Sequence, residues 1–148
     1  MNVLIVEDDP HKLSQLRREV VDIDKSALIE IAMSLQEATN ILSGTKFDVV
    51  LLDMAIPSHG GDAAATDVYS QPVGGLDVLL YLATSARSER VIVLTQYPTV
   101  EYNQRHVPLR KVRDVLHGDD VTNLESVVLF SEDGAWKGRL RSFLEGDE

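Results

Sequence analysis

The apolar residues of this chain gather into short unbroken runs, with stretches of helical spacing between them. Val3-Leu4-Ile5-Val6, Val49-Val50-Leu51-Leu52 and Val91-Ile92-Val93-Leu94 are rich in β-branched residues and carry no polar alternation. That pattern belongs to strands buried on both faces of a parallel sheet. Ala27 to Met33 and Ser126 to Phe130 are expected to form two more strands, the second and the fifth in chain order. Asp9-Pro10 reads as a helix start, with Asp as N-cap and Pro at the first helical position. Leu13, Leu16 and Val20 then give one apolar stripe. Ser34-Leu35-Gln36-Glu37 has the form of a capping box, and Gly44 suits the C-terminal cap of the helix it opens. Further helices are expected from Leu76 to about Arg87, from Pro108 to His117 with Gly118 stopping it, and after Asp133 as its N-cap, where Trp136, Leu140, Phe143 and Leu144 share a face. Strand and helix alternate five times, which predicts an α/β doubly wound sheet with helices on both sides.

Two connections are too long for such a sheet, whose strand-to-helix loops usually run about 2–6 residues. One runs from Ser58 to Gly74 and holds Gly60-Gly61, an Ala run and Pro72; the other runs from Gln96 to Val107. The sequence reads as a single domain over residues 1–148, with these two as its long loops.

The polar residues that end the strands carry the chemistry. Val6 is followed by Glu7-Asp8-Asp9, Leu52 by Asp53 and Leu94 by Thr95. Ligands of such sheets bind at the carboxyl ends of the strands, so acid, acid and hydroxyl converge there. Clustered carboxylates repel one another, and a bound cation relieves them. An acid at the end of a buried strand must be satisfied by some partner. The chemistry indicated is metal-assisted phosphoryl transfer onto a carboxylate. Asp9 is accounted for by its capping role.

Charge and composition narrow the field. A net charge of −10 argues against binding nucleic acid through its phosphates, which needs clustered Lys and Arg. Arg105, Arg110, Lys111 and Arg113 make the one dense basic patch and read as a solvated helix face. Without cysteine there are no disulfides, thiolate metal sites or thiol nucleophiles. No apolar run approaches the ~20 residues needed to span a bilayer, and the first strand begins at once, with no signal-like segment. A cytoplasmic location is expected.

Taken together, Val3 to Pro10, Val49 to Pro57, Gly75-Leu76-Asp77-Val78-Leu79-Leu80 and Val93-Leu94-Thr95 resemble the receiver domains of two-component response regulators. The resemblance spans most of the chain. Its most specific element is an acidic pair after the first strand combined with Asp-x-x-x-Pro after the third. It implies a flavodoxin-like (βα)5 fold with strand order 2-1-3-4-5. It also implies acceptance of a phosphoryl group from a histidine kinase or phosphotransfer protein. On this likeness Asp53 is the phosphoacceptor, Glu7 and Asp8 hold Mg²⁺ with Asp53, and Ala55 offers its backbone carbonyl to the metal. Thr95 supplies the hydroxyl that bonds a phosphoryl oxygen. The implied output is protein–protein contact, with a separate partner or a second copy, through the face of the fourth helix, fifth strand and fifth helix.

One departure stands out. The family places a Lys just after strand five, and here that position falls on Ser131. Lys137 lies further on, inside the last expected helix, and the family's switch aromatic falls on Val128. Phe130 is near but is expected to point to the opposite face of the strand. The alternative is therefore a pseudo-receiver, a scaffold or adaptor that is not phosphorylated. An Asp-nucleophile phosphohydrolase would carry a second Asp two residues after the first, where this chain has Ala55.

Overall fold

The computed structural model describes residues 1–59 and 74–146. Five strands form one parallel sheet: β1 (Asn2–Val6), β2 (Leu28–Ala32), β3 (Val49–Leu52), β4 (Arg90–Thr95) and β7 (Leu124–Leu129). Their order is β2-β1-β3-β4-β7. Counting β7 as the fifth strand of the sheet, this is the 2-1-3-4-5 order of a doubly wound flavodoxin-like fold. The middle strands β1, β3 and β4 are the apolar runs of the sequence, and their residues from Val3 to Val6, Val49 to Leu52 and Val91 to Leu94 are buried.

The sheet separates two apolar layers. On one side α1 (Pro10–Ile23) and α5 (Trp136–Glu145) cover Val3, Ile5, Leu51 and Ile92 with Leu16, Val20, Trp136, Leu140 and Phe143. On the other side α2 (Leu35–Gly44), α3 (Gly74–Thr84) and α4 (Leu109–Gly118) cover Leu4, Val50, Leu52 and Val93. Asp9 caps α1, its side chain accepting the His11 amide at 3.0 Å with Pro10 at the first helical position. Ser34 Oγ accepts the Glu37 amide at 3.1 Å, while the Glu37 carboxylate reaches back to the amide of Met33, not that of Ser34.

Three local expectations change. Gly44 is the last residue of α2, and the cap is Thr45 in an extended conformation. Asp133 accepts the Ala135 amide at 3.0 Å in the turn ahead of α5, and the cap itself is Ala135. Most of the Ser58–Gly74 connection lies outside the described residues, but its end is the start of α3. The Gly74 amide donates to Ile56 O at 3.1 Å and the Gly75 amide to Met54 O at 3.3 Å.

The Gln96–Val107 connection is not irregular. It holds an antiparallel hairpin, β5 (Thr99–Tyr102) and β6 (Arg105–Pro108), turned by Asn103 and Gln104, both with positive φ. Two left-handed residues in a two-residue turn match the right-handed twist of the strands they join. Val100, Tyr102 and Val107 face the core, against Leu76, Val112, Val115 and Leu116. The Tyr102 hydroxyl donates to Asp119 Oδ2 at the end of α4, at 2.5 Å.

Candidate functional site

The sheet's carboxyl edge brings together the groups the sequence had aligned. The ladder continues past the strands, with the Glu7 amide donating to Ala32 O at 2.9 Å and the Asp53 amide to Val6 O at 3.0 Å. Both side chains are thus set by backbone that the sheet fixes. Glu7, Asp8 and Asp53 each present a carboxylate oxygen within 4.8 Å of the others. Glu7 is 1% and Asp53 4% exposed, while Asp8 opens to solvent. Thr95 closes β4, buried, its hydroxyl oxygen accepting the Tyr97 amide at 3.2 Å and keeping its own proton to donate. Asp53 Oδ1 accepts the Ala55 amide at 3.1 Å, which fixes the turn that carries the Ala55 carbonyl.

A residue absent from the sequence-derived site completes it. Lys12, from the first turn of α1, is fully buried. Its ammonium donates to Leu94 O at 2.6 Å and sits 2.9 Å from Glu7 Oε2 and 3.6 Å from Asp53 Oδ2. It also lies 5.4 Å from the centre of the Phe130 ring. The sequence does hold a signal for it: Lys12 precedes Leu16 and Val20 by four and eight residues, on the helix's buried stripe. Leu13 is at the margin of that stripe.

The position after β7 holds no cation. Ser131 Oγ donates to Asp133 Oδ1 at 2.6 Å within its own turn. Lys137 points away from the pocket, its ammonium 3.8 Å from Glu19 on α1. Phe130 joins the same apolar layer as Val128, against Trp136, so it does not face the opposite side of the strand as expected.

Charge in the pocket is unbalanced. One ammonium serves two buried carboxylates, and Asp8 adds a third acid at the rim. Burial pushes the Glu7 carboxyl up to about 8; Lys12 pulls it down and Asp53 pushes it up further. Burial likewise raises Asp8, against a backbone hydrogen bond and with added repulsion from Asp53. Glu7 Oε2 receives no well-directed hydrogen bond. Hard oxygen donors, excess negative charge and one open side are what a small divalent cation such as Mg²⁺ requires.

Comparison with known proteins decides the family. The model of the response regulator receiver domain matches residues 3–114. The chain belongs to the response regulator receiver family. This receiver is 29% identical over 147 residues to the Detocs response regulatory protein DtcB of Vibrio alginolyticus, covering 97% of this chain and 99% of that protein. It is also 36% identical over 104 residues to the transcriptional regulatory protein MalR of Bacillus subtilis, covering 69% of this chain and 43% of MalR. In fold the receiver is similar to the response regulator TrrA of Thermotoga maritima, solved in complex with Mg²⁺ and BeF. The TM-score is 0.65 at 18% identity, over 98% of this chain and 96% of that one. A CheY-like receiver domain from Methanospirillum hungatei superposes with a TM-score of 0.63 at 14% identity, over 98% of this chain and 94% of that one.

The receiver is therefore a component of two-component signalling. Receiver domains are signalling domains rather than turnover enzymes, bind Mg²⁺ at an acidic pocket and interact with histidine kinases or phosphotransfer proteins. Among the described residues, no helix is long and apolar enough to cross a membrane.

Proposed function

We propose that this receiver accepts a phosphoryl group on Asp53, with Mg²⁺ held by Glu7, Asp8, Asp53 and the Ala55 carbonyl, and signals by protein contact. The observation that carries this reading is the convergence of three carboxylates within 4.8 Å at the exits of two buried strands. In the transfer, an Asp53 oxygen forms a new O–P bond as the donor's P–N bond breaks. The electron pair stays with the donor nitrogen, which takes up a proton from solvent. A bound Mg²⁺ supplies charge stabilisation for the phosphoryl oxygens. Thr95 donates its hydroxyl proton to one of those oxygens, and the Ala55 amide holds Asp53 in place.

The donor is a histidine kinase or phosphotransfer protein. The readout is a separate partner, or a second copy, at the face of α4, β7 and α5. Alignment over 97% of this chain and 99% of DtcB supports reading these residues as one receiver unit. A cytoplasmic location belongs to the same proposal.

Incubation with phosphoramidate and Mg²⁺, followed by intact mass, tests the reading. Wild type is expected to gain one phosphoryl group and Asp53→Asn none. The second reading, a pseudo-receiver scaffold, draws on Ser131 at the family's Lys position. A folded wild type that gains no adduct would select it.

A further inference from the structure

We propose that Lys12, reaching into the pocket from α1, is the cation that contacts the phosphoryl group on Asp53, in the place left by Ser131. The inference rests on the phosphoacceptor reading of Asp53. Three observations converge on it. The ammonium is fully buried at the carboxyl edge of the sheet, 3.6 Å from Asp53 Oδ2, the acceptor oxygen that the Ala55 amide leaves free. Its position is fixed from three sides, by Leu94 O, by Glu7 and by the Phe130 ring. The residues after β7 are spent elsewhere: Ser131 on Asp133, Lys137 on Glu19, and Phe130 beneath Lys12 itself. Among the described residues Lys12 is the one buried lysine.

The geometry separates this role from that of a mere counter-ion. Leu94 immediately precedes Thr95, so the carbonyl that anchors the ammonium belongs to the strand end that carries the proposed phosphoryl-binding hydroxyl. A phosphoryl group joined to Asp53 Oδ2 adds oxygens on the side the ammonium already faces. Charge placed beforehand where charge accumulates stabilises the transferring group without reorganisation. The ammonium exchanges its contact with Asp53 for one with a phosphoryl oxygen while keeping Leu94 O.

The test compares wild type, Lys12→Met and Lys12→Arg, each at Mg²⁺ concentrations that saturate it, with phosphoramidate as donor and intact mass as readout. Mg²⁺ affinity is measured separately by calorimetry. Lys12→Met is expected to bind Mg²⁺ at least as tightly, having lost a competing charge, yet to form the adduct at least ~10-fold more slowly. Lys12→Arg should recover part of the rate. Equal rates for wild type and Lys12→Met would overturn the inference and leave the phosphoacceptor reading intact, since Lys12 would then only balance charge. No adduct on wild type would overturn both. Should Lys12→Met fail to fold, ¹⁵N spectra of the wild-type lysine ammonium groups decide. The buried signal should move when fluoroberyllate is added to the Mg²⁺-loaded protein, and an unmoved signal overturns the inference.

Discussion

At the scale of single residues, the pocket's behaviour follows from burying two carboxylates against one ammonium. Glu7 is raised from 4.5 to about 8. The folded protein therefore binds a proton that the unfolded chain releases above about pH 4.5. Its contribution to stability is complete below that value and is lost as pH rises through 8. In urea unfolding without metal, wild type should be less stable at pH 9 than at pH 6, and Glu7→Gln should flatten that difference. Saturating Mg²⁺ should restore stability at the higher pH, because the cation binds the ionised form. Glu7, Asp8 and Asp53 were legible because each ends an apolar run, and a strand places its last residue at the sheet's edge. Lys12 was not, because a lone Lys in a helix ordinarily reads as a solvated position. Only its spacing to Leu16 and Val20 places it inside.

At the scale of elements, local chemistry explains which predictions needed revision. The hairpin of β5 and β6 escaped the sequence because its turn is Asn103-Gln104, not the Asn-Gly that signals such turns. Gln104 has φ 64°, in the left-handed region, which costs a side-chain-bearing residue about 1 kcal/mol. Gln104→Gly should therefore raise stability by up to ~1 kcal/mol in chemical denaturation. Gly74 reads as the end of a loop because glycine usually breaks elements, yet here Gly74-Gly75 opens α3. Its need for glycine is steric. A Cβ on Gly75 would stand 2.4 Å from Met54 Cα and 2.5 Å from Asp53 O. Gly75→Ala should cost about 1–3 kcal/mol as overpacking and, by displacing the Asp53–Met54 backbone, should also slow adduct formation on Asp53. A thermal melt and the phosphoramidate assay read the two effects separately.

At the scale of the whole molecule, the order of the sheet could be anticipated because the buried runs and the family resemblance agreed. The polar cluster at the sheet's other end could not, since it joins residues far apart in sequence. Glu89, 3% exposed, accepts from the Arg87 guanidinium and from the Phe47 amide. Arg87 also donates to Leu42 O and Thr45 O, and Asn123 donates to Arg87 O and Glu89 O. Burial alone would lift the Glu89 carboxyl, but these partners hold it below its usual value. Glu89→Ala strands a guanidinium and a backbone amide and should cost about 3 kcal/mol. Glu89 precedes Leu94, the anchor of Lys12, by five strand residues, or about 16 Å. Changes at Glu89 and Lys12 should thus add to within about 0.5 kcal/mol in unfolding experiments, and Glu89→Ala should leave Mg²⁺ affinity unchanged.

The bond from Tyr102 to Asp119 has a consequence for how the molecule opens. Pro108, the last residue of β6, is also the cap of α4, so the hairpin holds that helix covalently at its start and by a side chain at its end. Hairpin and helix share one apolar seam with Leu76 on α3. They should therefore come away from the sheet as one cooperative unit, and native-state hydrogen exchange should find a single protection free energy for the amides of β5, β6 and α4. Tyr102→Phe cuts the far tether, and the end of α4 should then exchange ahead of the hairpin.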